Sequence, residues 1–205
     1  MLNINSCGPF CYDEPVGTTV KLHEVVMSED LSLVLRAAFF SGEKHKKQRR
    51  RDAEETPYIN HPLEVAYILL DEGGVTDAAT LAAALLHDTL EDTDTTREEL
   101  AMVFGHEVSN LVVELTDLES VLPEHKKKRE LERAHNLSEK AKRVKLADKT
   151  ANIRDLATMP PKTWDIQRQI DYFDFAMKIA EATASASPAL EKVFMRDYKQ
   201  FKPKH

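Results

Sequence analysis

Leu81-Ala82-Ala83-Ala84-Leu85-Leu86-His87-Asp88-Thr89-Leu90-Glu91-Asp92-Thr93 is the stretch around which this chain is organised. Residues 81–86 are small or apolar on every side, a pattern that predicts the buried part of a helix. The same helix is then expected to carry four ionisable residues: His87, Asp88, Glu91 and Asp92. Because buried ionisable groups are costly unless they are paired or bound to a metal, the stretch predicts a functional site.

The spacing of the four residues indicates what the site holds. On a continuous helix, the i, i+4 rule places His87 above Glu91 and Asp88 above Asp92. An imidazole beside a carboxylate suits a divalent metal ion, and the second carboxylate pair would remain for proton transfer. The alternative is a helix end with solvated acids and one capping histidine, but the apolar run before His87 favours the metal site.

Length and composition favour a single helical domain. A chain of 205 residues can bury one substantial core. With six glycines and abundant Ala, Leu, Glu and Lys, an all-α fold of about eight or nine helices is expected. Residues 1–27 contain Gly and Pro without a sustained period, so they are predicted to form an irregular extension before a domain spanning residues 28–205.

Several classes of protein are disfavoured. No apolar run reaches about 18 residues, so neither a membrane span nor a membrane partner is expected. The start lacks a basic segment leading into a long apolar one, and Cys7 and Cys11 do not resemble a disulfide framework. These features favour a cytoplasmic protein.

Charge is unevenly distributed along the chain. The net charge of −7 argues against a nucleic-acid partner. Residues 44–51 nevertheless hold six Lys or Arg and no acid, and residues 126–129 hold four more. A basic cluster on an acidic protein suggests a local anion site, although a solvated basic helix end stays open for each run.

Two helices can be outlined in detail. Ser28 is expected to cap a helix that reaches about Gln48, with Leu31, Leu35, Ala38 and Phe39 on the one apolar face that would pack on the core. Residues 96–99 read Thr-Arg-Glu-Glu, which predicts a capping box that opens a short helix ending at Gly105, with a second short helix after it.

Further candidate metal ligands lie on other elements. His61 precedes Pro62 at a predicted helix start, and Asp148 lies inside a later helix. Two imidazoles and two carboxylates suit Mn²⁺, Fe²⁺ or Zn²⁺. For Asp148 the alternative is an ion pair with Lys145 or Lys149 on the same helix.

Three strings of sequence carry a family resemblance. They are Thr56-Pro-Tyr-Ile-Asn-His-Pro62, Ala84-Leu-Leu-His-Asp-Thr-Leu-Glu-Asp-Thr93 and Val144-Lys-Leu-Ala-Asp-Lys-Thr-Ala-Asn-Ile-Arg-Asp-Leu156. They resemble the hydrolase domain of RelA/SpoT proteins, which are HD-domain metal phosphohydrolases. From about Leu31 to Phe201, the chain resembles the stand-alone small alarmone hydrolases, including the metazoan SpoT homologues. An HD-type helical bundle is therefore expected.

The resemblance implies a Mn²⁺-dependent hydrolase that removes pyrophosphate from the 3′ position of guanosine alarmones such as ppGpp and pppGpp, giving GDP or GTP. It implies that the metal ligands are His61, His87, Asp88 and Asp148. Glu91 and Asp92 would form the acidic pair that orients and deprotonates the attacking water, in agreement with the general chemistry of metal-assisted hydrolysis.

The resemblance also implies contacts with the nucleotide. Arg50 and Arg51 fall where the family has a basic pair, although the family commonly has Lys at the second position, so Arg51 is a departure that could alter the fit. Asn152 would contact the ribose–phosphate region, and Tyr172 would approach the nucleotide. Arg168 is a further phosphate candidate. For Tyr172 and Arg168, an ordinary surface role stays open.

Two alternative functions remain at this point. One is a hydrolase of the same fold acting on adenosine 3′-pyrophosphates or on the 2′-phosphate of NADPH, because the sequence does not reveal the base-contacting residues. The other is a non-enzymatic nucleotide sensor, but all four candidate ligands and both acids are present. The sequence pattern does not specify an oligomeric state.

Overall fold

The computed structural model describes residues 22–52, 54–117 and 123–203. Within these ranges the chain forms helices and no β-strand, which confirms the all-α prediction. The helices are α1 (Leu22–Lys44), α2 (Asn60–Tyr67) with a π-helical turn (Ile68–Glu72), α3 (Ala78–Leu86), α4 (Thr89–Asp92), α5 (Arg97–Leu115), α6 (Pro123–Ala134), α7 (Glu139–Thr158), α8 (Ile166–Thr183) with a 3₁₀ turn (Ala184–Ala186), and α9 (Pro188–Phe201).

Helix α3 lies at the centre of the core. All nine of its residues are buried, as predicted for residues 81–86. It packs against α1, α2, α5 and α7, while α7 packs in turn against α8 and α9. The side chain of Asp77 caps α3 by accepting a hydrogen bond from the Thr80 amide at 2.9 Å. The core therefore holds the residue that precedes His87 firmly in place.

The helix does not continue through His87 as expected. Helix α3 ends at Leu86, His87 and Asp88 form a turn, and α4 begins at Thr89. Asp88 has φ −95° and ψ −6°, outside the centre of the helical region. The prediction of one continuous helix through His87 is therefore wrong, and the turn brings His87 Nε2 to 3.1 Å from Asp88 Oδ2.

Helix α1 differs from the prediction at both its start and its buried face. It begins at Leu22, six residues before Ser28, so residues 22–27 are helical, while residues 1–21 of the expected extension lie outside the described residues. Leu31, Leu35 and Phe39 are 60%, 60% and 74% exposed, although they were expected to face inward. The opposite side, which includes the fully buried Ala37, packs against α3 instead.

The break predicted at Gly105 between two short helices is confirmed, because the backbone leaves the helical region at that residue. Helix α5 spans the whole region, with a kink at Gly105, where φ is 86°. The Thr96 side chain accepts a hydrogen bond from the Glu99 amide at 3.1 Å, as the capping box predicts. Among the described helices, none combines the length and the hydrophobicity of a membrane-spanning segment.

Candidate metal centre and adjoining cavities

Four side chains from separate elements converge beside the end of α3. His61 comes from the first turn of α2, His87 and Asp88 from the turn after α3, and Asp148 from the middle of α7. His87 Nε2 lies 3.1 Å from Asp88 Oδ2 and 3.9 Å from Asp148 Oδ1. His61 Nε2 lies 3.9 Å and 3.3 Å from the same two oxygens. The structure thus brings together all four predicted ligands.

These distances fit a single metal ion. Nitrogen and oxygen ligands lie about 2.0–2.2 Å from a divalent ion such as Zn²⁺, so ligand atoms around one ion are separated by roughly 3–4.4 Å. The four measured separations lie between 3.1 and 3.9 Å. The ligand atoms of His61, His87 and Asp88 all lie within 4.8 Å of one another, a group that does not include Asp148.

Hydrogen bonds around the cluster orient its members. His87 Nδ1 lies 2.7 Å from the Ala84 carbonyl, which leaves Nε2 facing the cluster. His87 Nε2 is buried, and the described residues give it no hydrogen-bond partner. The Tyr58 hydroxyl donates to Asp88 Oδ2 at 2.6 Å. A buried imidazole nitrogen without a hydrogen bond is what a metal ligand requires.

The electrostatics of the cluster also favour a bound cation. Burial by itself would lower the pKa of His87, but the Asp88 carboxylate outweighs it and raises that pKa to about 9. Burial lowers the pKa of His61. Burial would raise the pKa of Asp148, but Lys149 and His61 hold it well below its usual value. Two negatively charged carboxylates therefore face the same small site, which favours the binding of a cation.

The alternative placement of Asp148, in an ion pair with lysine, is also present. Asp148 Oδ2 lies 3.2 Å from Lys149 Nζ and 4.0 Å from Lys145 Nζ, whereas Oδ1 faces the histidines. The two interpretations are therefore compatible, because each uses a different oxygen of the same carboxylate.

Glu91 and Asp92 lie at the rim of the cluster and are exposed. Asp92 Oδ2 accepts a hydrogen bond from Gln48 Nε2 at 2.8 Å, and Gln48 Oε1 lies 2.6 Å from His45 Nδ1. Glu91 faces the opposite side, 3.5 Å from Lys126 Nζ. The two acids thus line two different cavities, which share Arg50, Tyr58 and Asn152. The cavity on the Glu91 side is also lined by the candidate ligands His61, Asp88 and Asp148.

The larger of these two cavities has a volume of about 330 Å³ and receives most of the predicted nucleotide contacts. Arg50, Arg51, Asn152 and Tyr172 all line it. Arg50 donates to Asn152 Oδ1 at 3.2 Å and also binds Asp155. Arg51 is exposed. The basic run is held close to His61 because residues 49 and 57 form an antiparallel bridge.

Arg168 lies at the edge of this cavity. It is exposed, and its guanidinium carbon lies 4.5 Å from the centre of the Trp164 ring. Trp164 lines the cavity, and its ring centre lies 5.8 Å from that of Tyr172. Stacking on Trp164 places the Arg168 charge near the cavity without a direct contact to the metal cluster.

Comparison with known proteins identifies the family. A family model described as "HD domain" matches residues 37–173, a stretch that includes all four clustered residues. The chain belongs to the HD-domain family.

This HD-domain chain is similar to several curated proteins named guanosine-3′,5′-bis(diphosphate) 3′-pyrophosphohydrolase MESH1. The Xenopus tropicalis protein is 52% identical over 166 residues, covering 80% of this chain and 92% of that protein. The Homo sapiens protein is 45% identical over 175 residues, covering 85% and 97%.

A solved structure supports the same grouping. It is described as a metazoan ortholog of SpoT that hydrolyzes ppGpp and plays a role in starvation responses. It has a TM-score of 0.79 and 38% identity, and the match covers 82% of this chain and 95% of that one. The resemblance to HD-domain alarmone hydrolases is thereby confirmed, and a hydrolase of this family implies a divalent metal ion.

Some residues around the HD-domain site were not predicted. Tyr58 binds Asp88 and lies within the string that ends at Pro62, so its position three residues before His61 was a usable signal. Gln48 contacts Asp92 from within the basic run, and no local pattern indicates this contact. Trp164 is the single tryptophan of the chain, and its place at a cavity could have been suspected from that alone.

Proposed function

We infer that this chain is a metal-dependent hydrolase that removes pyrophosphate from the 3′ position of guanosine alarmones such as ppGpp. The observation that carries this conclusion is the convergence of His61, His87, Asp88 and Asp148 at one point. Three of them line a cavity that shares Arg50, Tyr58 and Asn152 with a second cavity of about 330 Å³. Relatives of 42–52% identity that bear the corresponding name support the choice of substrate.

We propose that these four residues hold the ion and that the ion is Mn²⁺. Two imidazoles and two carboxylates form a mixed donor set that suits a borderline ion. When bound, a divalent ion lowers the pKa of water and offsets charge on phosphoryl oxygens. The Tyr58 hydroxyl and the Ala84 carbonyl keep Asp88 and His87 in the orientation that binding requires.

Glu91 and Asp92 are assigned the proton-transfer role in this proposal. Both are exposed carboxylates at the mouth of the cluster, where solvent water can reach them. Gln48 fixes one oxygen of Asp92 and leaves the other free to accept a hydrogen bond from water. Glu91 lies on the side of the cluster that faces α6.

The nucleotide is assigned to the cavity lined by Arg50, Arg51, Asn152 and Tyr172. Guanidinium groups can bind phosphate oxygens through two parallel hydrogen bonds, and the aromatic wall formed with Trp164 suits a base or ribose. Arg168, stacked on Trp164, supplies a further positive charge at the edge.

A cytoplasmic location, and a domain that begins near residue 28, are also part of this proposal.

A substrate panel tests the assignment. The purified chain with Mn²⁺ is offered ppGpp, pppGpp, ppApp, NADPH and a 5′-mononucleotide, and kcat/KM is measured for each. The proposal predicts the highest value for ppGpp or pppGpp. A clear preference for NADPH or ppApp would redirect the substrate assignment within the same fold, and binding of ppGpp without turnover would indicate a sensor.

A further inference from the structure

A lysine is buried directly behind the candidate metal ligand Asp148. Lys149 is only 6% exposed, and its Nζ lies 3.2 Å from Asp148 Oδ2 and 2.7 Å from Glu130 Oε1. Burying an ammonium group is costly unless it is paired and hydrogen-bonded. The two carboxylates therefore stabilise the buried ammonium group of Lys149, and one of them belongs to a candidate metal ligand.

The two oxygens of Asp148 have different surroundings. Oδ1 faces the two histidines and accepts a hydrogen bond from Asn152 Nδ2. Oδ2 points to the other side, towards the ammonium groups of Lys149 and Lys145. Because a free carboxylate can rotate to offer either oxygen or both, the lysines select one orientation of the group.

Glu130 connects this pair to helix α6. Its Oε1 lies 2.7 Å from Lys149 Nζ and 3.4 Å from Lys145 Nζ, so one carboxylate gathers both ammonium groups. Helix α6 is anchored by a small apolar cluster of its own, in which Ala134 packs with Phe175 and Ile179 of α8. Lys149 is thus fixed from a helix that contributes no candidate metal ligand.

We propose that Lys149, held by Glu130, is a positioning residue that reserves a single oxygen of Asp148 for the metal ion. The inference rests on the divalent metal centre of the proposed function, and it assigns to α6 a part in building that centre. Residues that orient metal ligands in this way typically contribute 10- to 100-fold to metal affinity.

Removal of the Lys149 ammonium group is expected to change the Mn²⁺ affinity in the direction opposite to that expected from charge repulsion alone. An ammonium group close to the metal site repels a divalent cation, so removing it for electrostatic reasons alone would tighten metal binding. Removing a group that positions Asp148 would instead weaken binding, because the freed carboxylate loses its orientation. The direction of the change therefore separates the two roles.

The test is a calorimetric titration of metal-free protein with Mn²⁺, in the absence of nucleotide. Lys149→Met is expected to bind Mn²⁺ roughly 10- to 100-fold more weakly than wild type. Lys142→Met is the matched control, since Lys142 lies on the same helix and forms a local ion pair with Glu139. It is expected to bind with wild-type affinity. Circular dichroism verifies that each variant is folded.

A second variant keeps the test decisive if Lys149→Met does not fold. Glu130 has a side chain that is 30% exposed, and Glu130→Ala is expected to weaken Mn²⁺ binding in the same direction. Unchanged or tighter binding in a folded Lys149→Met protein, or in Glu130→Ala where the lysine variant does not fold, would overturn the inference. Wild-type protein that binds Mn²⁺ but cleaves no alarmone would refute only the proposed function, whereas wild-type protein that binds no Mn²⁺ would refute both.

Discussion

At the scale of single residues, Arg50 connects the candidate metal centre to the cavity beside it. Its guanidinium binds Asp155 and Asn152, and Asn152 in turn donates to Asp148. The guanidinium also lies over the Tyr58 ring, 5.7 Å from its centre. Arg50 is therefore oriented before any ligand arrives, and a phosphate that binds it meets a rigid group.

Arg50→Ala is expected to raise KM for ppGpp at least several-fold while leaving metal content unchanged. The effect should shrink as salt rises, because screening weakens the attraction in the wild-type protein. Lys46→Ala is the control, since Lys46 is exposed and forms a local ion pair with Glu43 near the end of α1. Lys44 is unsuitable as a control because it pairs with Asp94 and Glu99, each at 3.1 Å. Equal KM values for wild type and Arg50→Ala at low salt would contradict this role.

The exposed acids Glu91 and Asp92 support a second prediction at this scale. The double variant Glu91→Gln, Asp92→Asn is expected to lower kcat by about 10²–10⁴-fold, the usual contribution of positioned acid–base groups. Metal content and melting temperature should stay close to wild type, because neither residue belongs to the buried cluster. A kcat near the wild-type value would show that the two acids have no part in the chemistry.

At the scale of helices, prediction from sequence succeeded where one physical rule dominates. The all-apolar run of α3 admits only a buried position, and Thr96 caps α5 as expected. Prediction of the buried face of α1 failed, because that helix has apolar residues on both sides and the pattern alone does not select the face that meets α3. The break at His87 was also missed, since neither Gly nor Pro marks it.

The kink in α5 gives a test of backbone conformation. Gly105 has φ 86° and ψ 167°, a region that residues with a Cβ avoid at a cost of about 1–3 kcal/mol. Gly105→Ala should therefore lower the free energy of unfolding by about that amount. Gly42→Ala in α1 is the matched control, because space is available there, and it should raise stability by about 0.4–1 kcal/mol. Urea denaturation measures both changes, and equal effects would contradict the conformational argument.

Glu64 lies on α2, close to α7, and is expected to make the free energy of unfolding depend on pH. Burial, with the nearby Asp155, raises the pKa of Glu64 to about 7. Between the usual glutamate pKa and 7, the folded state holds a proton that the unfolded state releases, so this group lowers stability as pH rises. Glu64→Gln should then be more stable than wild type at pH 8, by on the order of 1 kcal/mol after solvent screening, and no more stable at pH 4. Thermal unfolding at both pH values checks this, and a gain that does not depend on pH would contradict it.

At the scale of the whole molecule, the sequence could not place distant residues together by physical rules alone. No local pattern brings His61, His87 and Asp148 to one point, and only the order of the three family-like strings predicted their convergence. The contacts made by Glu130 and Gln48 were not predicted at all, because they depend on how α6 and the end of α1 pack. Long-range packing thus supplies the residues that surround the site, while local sequence supplies the ligands.

The central claim is that water attacks the phosphorus bonded to the ribose 3′ oxygen, so that GDP leaves through that oxygen and the two phosphates are released together as pyrophosphate. Hydrolysis of ppGpp in ¹⁸O-labelled water, followed by mass spectrometry of both products, tests it most directly. The P–O bond to the ribose 3′ oxygen breaks, so the account predicts one ¹⁸O atom in pyrophosphate and none in GDP. Release of labelled monophosphate, or of nucleotide carrying the label, would contradict it.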